Sequence, residues 1–175
     1  VEGRNFSIRK NVLQYDDVMN RQRETIYAQR REVLKGENLK DDIMSMIKSV
    51  AEIIVPTYVN EHTKDEEGLM QEVENIYGIE KLDSLDNAKS TANDILKEIQ
   101  EKATAIYEDK CEQFGDTLRE LERVVMLKVV DQKWMEHIDN MDELKRGVGL
   151  RAYGQKDPIV VYREEGSNMF DEMIV

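Results

Sequence analysis

The run from Gly147 to Pro158 gathers three glycines, a proline and a lone tyrosine, Tyr153, while Lys145, Arg146, Arg151 and Lys156 place four cations before Asp157 brings the first opposing charge. Glycine lets a backbone leave a helix through positive φ, and proline restarts the chain with φ already set. The stretch therefore predicts the tip of a helix-loop-helix hairpin. A connection of about a dozen residues exceeds the roughly 2 to 8 usual between helices, a length suited to a loop that touches something. On such a loop Tyr153 offers a ring and a hydroxyl with low side-chain entropy, either for local packing or for gripping a varied partner. Two nucleotide-binding spellings fail here. Gly147-x-Gly149-x-x-Ala152 follows a helical pattern rather than a strand, and Gly149-x4-Gly154 continues as Gln155-Lys156-Asp157 where a phosphate loop requires Gly-Lys-Ser/Thr.

The other residues able to do chemistry are scattered. Asp16 and Asp17 are adjacent, so on a helix they point about 100° apart and do not chelate from one face. Asp131 falls within an apolar stripe beside Trp134, where an acid requires a partner; an Arg or Lys of the first helix would serve. His62 and His137 have no Ser or Cys placed as a nucleophile, and with one cysteine, Cys111, they do not form a ligand set at zinc spacing. No catalytic or metal residue is assigned.

These residues must be held by helices. Ile8, Val12, Tyr15, Met19, Gln22, Ile26, Gln29 and Val33 step by 4 and 3, predicting one amphipathic helix from about Ser7 to Lys35, about 40 Å long, with Gly36 suited to its C′ position. Leu39, Ile43, Met46, Ile47, Val50 and Ile54 predict a second helix that Pro56 ends or kinks. Leu69, Val73 and Ile76 give a short helix stopping at Gly78, and Ser84 or Asp86 can cap a longer one through Ile95, Ile99 and Tyr107. From Gly115-Asp116 to Arg146 runs another long helix with Val124, Leu127, Asp131, Trp134, Ile138 and Met141 on one stripe. A return helix follows over Ile159–Ile174.

The totals agree with an all-α fold. The chain has 175 residues, two prolines and three phenylalanines, with mean hydropathy −0.64. No run approaches the ~18 apolar residues that span a bilayer. The opening Val1-Glu2-Gly3 has neither an initiator Met nor an apolar leader, as expected of a piece of a longer protein. The net charge of −12 argues against a general nucleic-acid surface. Between Glu61 and Asp116 there are 16 acidic and 6 basic side chains, so the excess is concentrated in the middle. The economical architecture pairs the long helices, residues 1–36 and 113–175, side by side and inserts a small helical subdomain, residues 37–112, with a finger tip at 147–158. Val12, Tyr15, Met19, Ile26, Leu127, Trp134 and Ile138 are the expected packing residues.

Val1-Glu2-Gly3-Arg4-Asn5-Phe6 with Tyr15-Asp16-Asp17-Val18, Leu127-x3-Asp131-x2-Trp134-x2-His137-x3-Met141-Asp142-x-Leu144, and Gly149-Leu150-Arg151-Ala152-Tyr153-Gly154-Gln155-Lys156-Asp157-Pro158 together resemble the bacterial SecA preprotein translocase ATPase family. The likeness is strong at both ends and carried mainly by position and helical character in the middle. It implies a helical scaffold domain with a two-helix finger at the ends and a helical wing between them. The implied function is ATP-driven preprotein translocation through the SecYEG channel, at the cytoplasmic face of the cell membrane as a peripheral protein. The finger tip would contact the unfolded preprotein and the channel through Tyr153, with Gly149, Leu150, Arg151 and Lys156 around it and an anionic membrane surface nearby. The scaffold would couple to the family's motor and preprotein-binding domains. The ATP and Mg²⁺ sites and the zinc-binding tail of that family have no counterpart in these residues, so no cofactor is expected within them. A competing reading makes the hairpin a docking module for a regulatory protein with no transport role. A hydrolase built on His137 is the third, and least supported by spacing.

Overall fold

The structure, a computed structural model, describes residues 2–36, 39–60, 62–87, 89–151 and 157–174. It is all-α, and among the described residues there is no strand, only an isolated bridge between Val59 and Lys64. The helices are α1 (Glu2–Lys35), α2 (Leu39–Tyr58), α3 (Glu66–Tyr77), α4 (Ala92–Arg151) and α5 (Pro158–Ile174). They fall into two compact units, one made of residues 1–37 and 123–175, the other of residues 38–122.

The discontinuous unit contains α1, the later part of α4, and α5. Pairs such as Arg30–Asp131 and Lys145–Tyr15 show that α1 and α4 run antiparallel, while Tyr15–Tyr162 and Gln22–Gly166 make α5 parallel to α1. α1 ends at Gly36, which takes φ 66° and donates its N–H to Glu32 O at 3.1 Å, closing the last turn as a C′ glycine does. Two buried clusters form the interior, Met141, Leu144, Val148, Ile159 and Tyr162 in one and Ile26, Trp134 and Phe170 in the other; Met19 packs against both.

The continuous unit packs α2, α3 and the early part of α4 around Ala51, Ile54, Val55, Leu69, Val73, Ile95 and Ile99. Pro56 sits in the last turn of α2, and the helix stops two residues later at Tyr58. α3 begins where Asp65 Oδ1 accepts from Gly68 N at 2.9 Å and ends at Gly78 with φ 72°. The expected start of α4 is corrected: neither Ser84 nor Asp86 caps it. Thr91 and Asp94 form a reciprocal capping box, Thr91 N donating to Asp94 Oδ2 at 2.8 Å and Asp94 N to Thr91 Oγ1 at 3.3 Å. Asp83 and Ser84 instead belong to a turn whose backbone N–H groups donate to the Glu98 carboxylate at 2.7 and 2.8 Å, with Lys102 pairing the same group at 2.7 Å.

α4 is interrupted at Gly115, with φ 49° and ψ −125°. Beyond the break, Arg119 reaches back: Nη1 donates to Tyr107 Oη at 2.9 Å and Nη2 to Cys111 Sγ at 2.8 Å, and the guanidinium pairs with Glu122 at 2.7 Å. Twelve residues of unbroken helix advance about 18 Å, beyond the reach of one side chain, so the Tyr107 contact requires the bend. That fold-back keeps residues 116–122 with the continuous unit, past the change in composition near Glu112.

Candidate functional site: the α4–α5 hairpin

The hairpin is built on a line of inward side chains at 3- and 4-residue spacing: Trp134, His137, Met141, Leu144 and Val148 on α4, facing Ile159, Tyr162, Gly166 and Phe170 on α5. Gly166 lies against Met141: a Cβ there would fall 2.6 Å from Met141 Cε and 3.0 Å from its Sδ, so a larger residue would oblige the flexible end of Met141 to move. Asp157 starts α5, accepting from Val160 N at 2.9 Å through its carbonyl and from Ile159 N at 3.1 Å through its carboxylate, with Pro158 at the first helical position.

The first helix is tied to the hairpin by a buried polar set. Gln22 Nε2 donates to Gly166 O at 3.0 Å, and because that carbonyl only accepts, the amide orientation is determined; Gln22 Oε1 is left to accept from His137 Nε2–H at 2.8 Å. Burial lowers the His137 pKa, which keeps the ring neutral in this set. Trp134 and Phe170 flank the imidazole at centroid distances of 5.7 and 5.5 Å. His137 is therefore a structural knot joining α1, α4 and α5.

Nearer the tip, Tyr15 and Tyr162 meet edge to face at 4.8 Å, and Lys145 Nζ stands 5.2 Å over the Tyr15 ring. Burial, then the nearby Asp142 and Asp16 carboxylates and Tyr15, push the Tyr162 hydroxyl up to about 12. Tyr15 is raised by burial and then by Asp157. Both phenols stay neutral at ordinary pH. Farther down, Arg30 of the first helix pairs with Asp131 through two bonds of 2.9 and 3.1 Å, but both side chains are about half-exposed, so this is a solvated ion pair and not the buried acid the stripe suggested.

A family model described as the SecA wing and scaffold domain matches residues 1–175. The chain belongs to this SecA wing and scaffold family. Among its relatives, the protein translocase subunit SecA of Acetivibrio thermocellus is 51% identical and that of Pelotomaculum thermopropionicum 49%, each over 99% of this chain; protein translocase subunit SecA 1 of Clostridioides difficile is 48% identical over the same share. The chain spans about one-fifth of the length of these relatives.

Within this SecA wing and scaffold chain the expected site residues fare differently. Tyr153 and Lys156 lie outside the described residues. Leu150 and Arg151 continue the helix, and Gly149 is an exposed helical residue. The expectation that the connection opens at Gly147 is corrected. Gly147 and Gly149 remain inside α4, with open space around both, because Leu144 and Val148 are buried across the hairpin. Two helical glycines cost about 2 kcal/mol relative to alanine, which burial of those aliphatic side chains outweighs. Of the four cations, Arg146 pairs with Asp142 and Lys145 is engaged by Tyr15.

Among the packing residues, Ile26 and Trp134 are buried in one cluster, Met19 is half-buried against it and its neighbour, Tyr15 against the neighbour alone, and Leu127 is half-buried. Val12 and Ile138 are corrections, at 48% and 36% exposed. Val12 and Leu13 are exposed, while Tyr15, Val18 and Met19 are half-buried against the clusters. On α4 the inward line passes through His137, which rotates Ile138 outward by about 100°. Sequence patterning put Gln22 on the inward stripe of α1 but passed over His137 and Gly166 as members of the core, one because it is polar and the other because it has no side chain; a glycine in the middle of the α5 pattern is the signal that could have revealed the latter.

Proposed function

We propose that this chain is the wing and scaffold portion of an ATP-driven protein translocation motor, the continuous acidic unit being the wing and the α1–α4–α5 unit the scaffold with its two-helix finger. The observation that carries this reading is the family match over all 175 residues, together with a hairpin whose two helices are locked to each other and to α1. Three helices joined by buried polar and aromatic contacts move as a body, so a displacement applied along α1 is delivered to the α4–α5 connection.

Under this reading Tyr153 contacts the unfolded preprotein, with Leu150, Arg151 and Lys156 beside it at the SecYEG channel mouth or the anionic lipid around it. ATP and Mg²⁺ are bound and hydrolysed by other parts of the complete protein, and zinc by its tail; this chain contributes transmission rather than catalysis. The complete protein works at the cytoplasmic face as a peripheral component. Because α4 runs on to Arg151 and α5 starts at Pro158, the length of the connection no longer argues for a contacting loop, and the tip assignment rests on the family match.

Photo-crosslinking from position 153 of the complete translocase during transport tests it. Adducts to both preprotein and channel are expected, and Tyr153→Ala should slow transport by about tenfold while the melting temperature stays put. Crosslinks to neither, or a Tyr153→Ala variant that transports normally, would reject the tip assignment.

A further inference from the structure

We infer that the continuous acidic unit carries a docking groove for a cationic amphipathic helix of a partner protein. The groove lies among α2, α3 and the early part of α4, has a volume of about 260 Å³, and is lined by Ile43, Met46, Val50, Ile76, Tyr77 and Ile106. Met46 and Ile76 are 48% and 47% exposed, an unusual position for large apolar side chains facing one another across an open channel. Ile43, Met46 and Val50 follow 3- and 4-residue spacing along α2, forming a ridge parallel to which an incoming helix can lay its own apolar stripe.

The groove is already shaped. Tyr77 Oη donates to Ile47 O at 2.8 Å and Tyr107 Oη accepts from Arg119 at 2.9 Å, so the aromatic hydroxyls of its wall are engaged elsewhere and the rings are held in place. A preformed apolar channel saves a partner the cost of ordering it.

Charge identifies the occupant. Residues 38–122 contain 21 acidic and 9 basic side chains, a net −12, which is the whole net charge of the chain; the remainder balances at 16 of each sign. Flanking the groove, Asp42 is one turn before Met46, Glu72 one turn before Ile76 and Asp109 one turn after Ile106, against Lys40; among the described residues, Lys110 is the one charged residue that lines the groove itself. An apolar channel in so negative a body attracts a helix with Leu-like residues on one face and Lys or Arg on its flanks, and repels an acidic one. This inference does not depend on the transport reading above.

Fluorescence anisotropy with the whole 175-residue chain and a labelled Leu/Lys amphipathic peptide decides it. Saturable binding is expected, at least about tenfold tighter than for a scrambled peptide of the same composition or a Leu/Glu counterpart, and weakened about tenfold between low and high salt. Met46→Ser and Ile76→Ser should each weaken it several-fold and together by about tenfold, with helicity and melting unchanged because both side chains are half-exposed; Met135→Ser, on the other unit, should have no effect. Equal binding of the scrambled peptide would reduce the effect to diffuse charge attraction and overturn the groove. Equal binding of the Leu/Glu peptide, or indifference to Met46→Ser and Ile76→Ser, would also overturn it. Self-association of the chain abolished by these substitutions would assign the channel to a second copy instead.

Discussion

The two units solve the same problem, burying helix faces, with opposite distributions of polarity. The discontinuous unit is electrically balanced and sets a buried polar pair, Gln22 and His137, among its apolar clusters, where the two residues join three helices. The continuous unit carries the entire net −12 and keeps an apolar centre of Leu69, Val73, Ile95 and Ile99. A buried polar set is directional, so it specifies one register of α1 against the hairpin; an apolar core is not, and the acidic unit obtains its specificity at the periphery, from the Glu98 turn and the Arg119 fold-back. Register would matter to the transmission proposed for the balanced unit, and the negative surface to the docking proposed for the acidic one.

The sharpest way to break this contrast is to empty the centre of the balanced unit. Trp134→Ala should destabilise it by about 3–5 kcal/mol, read as lost amide-exchange protection in α1, the later part of α4 and α5. Unchanged protection in α2 and α3 is expected; joint collapse would show that the units do not fold separately.

A smaller effect tests the periphery of the acidic unit. Burial pushes the Glu98 carboxyl up, but the hydrogen bonds from Lys102, Ser84 and Asp83 outweigh it and bring the value from 4.5 down to about 2. A depressed carboxylate stabilises the fold fully above its unfolded value and loses that contribution as pH falls from about 4.5 towards 2. Glu98→Gln should cost about 1.5–3 kcal/mol at neutral pH and flatten the acid limb of the melting profile over that window. An unaltered acid limb would remove Glu98 from the account.

The smallest effect is that of salt. Raising ionic strength from about 0.05 to 0.5 M should stabilise the acidic unit by a few tenths of a kcal/mol to about 1 kcal/mol by screening its self-repulsion, and leave the balanced unit nearly unmoved. Exchange measured unit by unit at the two salt concentrations checks it, and equal shifts would erase the electrostatic half of the contrast.

Much of the helix inventory was legible along the chain because it rests on local chemistry. Glycine at positions 36 and 78 stops helices through positive φ, proline at 158 opens one, and the 3- and 4-residue stripe of Tyr15, Met19, Gln22 and Ile26 marks an inward face. The Arg30–Asp131 pairing was legible as a match of charges between two stripes, but the half-exposed Asp131 carries no burial cost that demands it. The misreadings occur where two local signals compete. Thr91 outcompetes Ser84 as a cap because Asp94 completes its box while Ser84 is drawn into the Glu98 turn. Gly147 and Gly149 suggested a loop, and the burial of Val148 against α5 carried the helix past them.

By itself the sequence determined an all-α chain, the approximate length of its helices and the concentration of acid in its middle, because propensity, capping and charge act over a few residues. Only the tertiary structure decided that His137 and not Ile138 faces inward, that Gly166 is where two helices touch, and that Arg119 returns across the break at Gly115. Those outcomes depend on which surfaces meet, and a free energy shared between residues 22, 137 and 166 has no signature in any one of them.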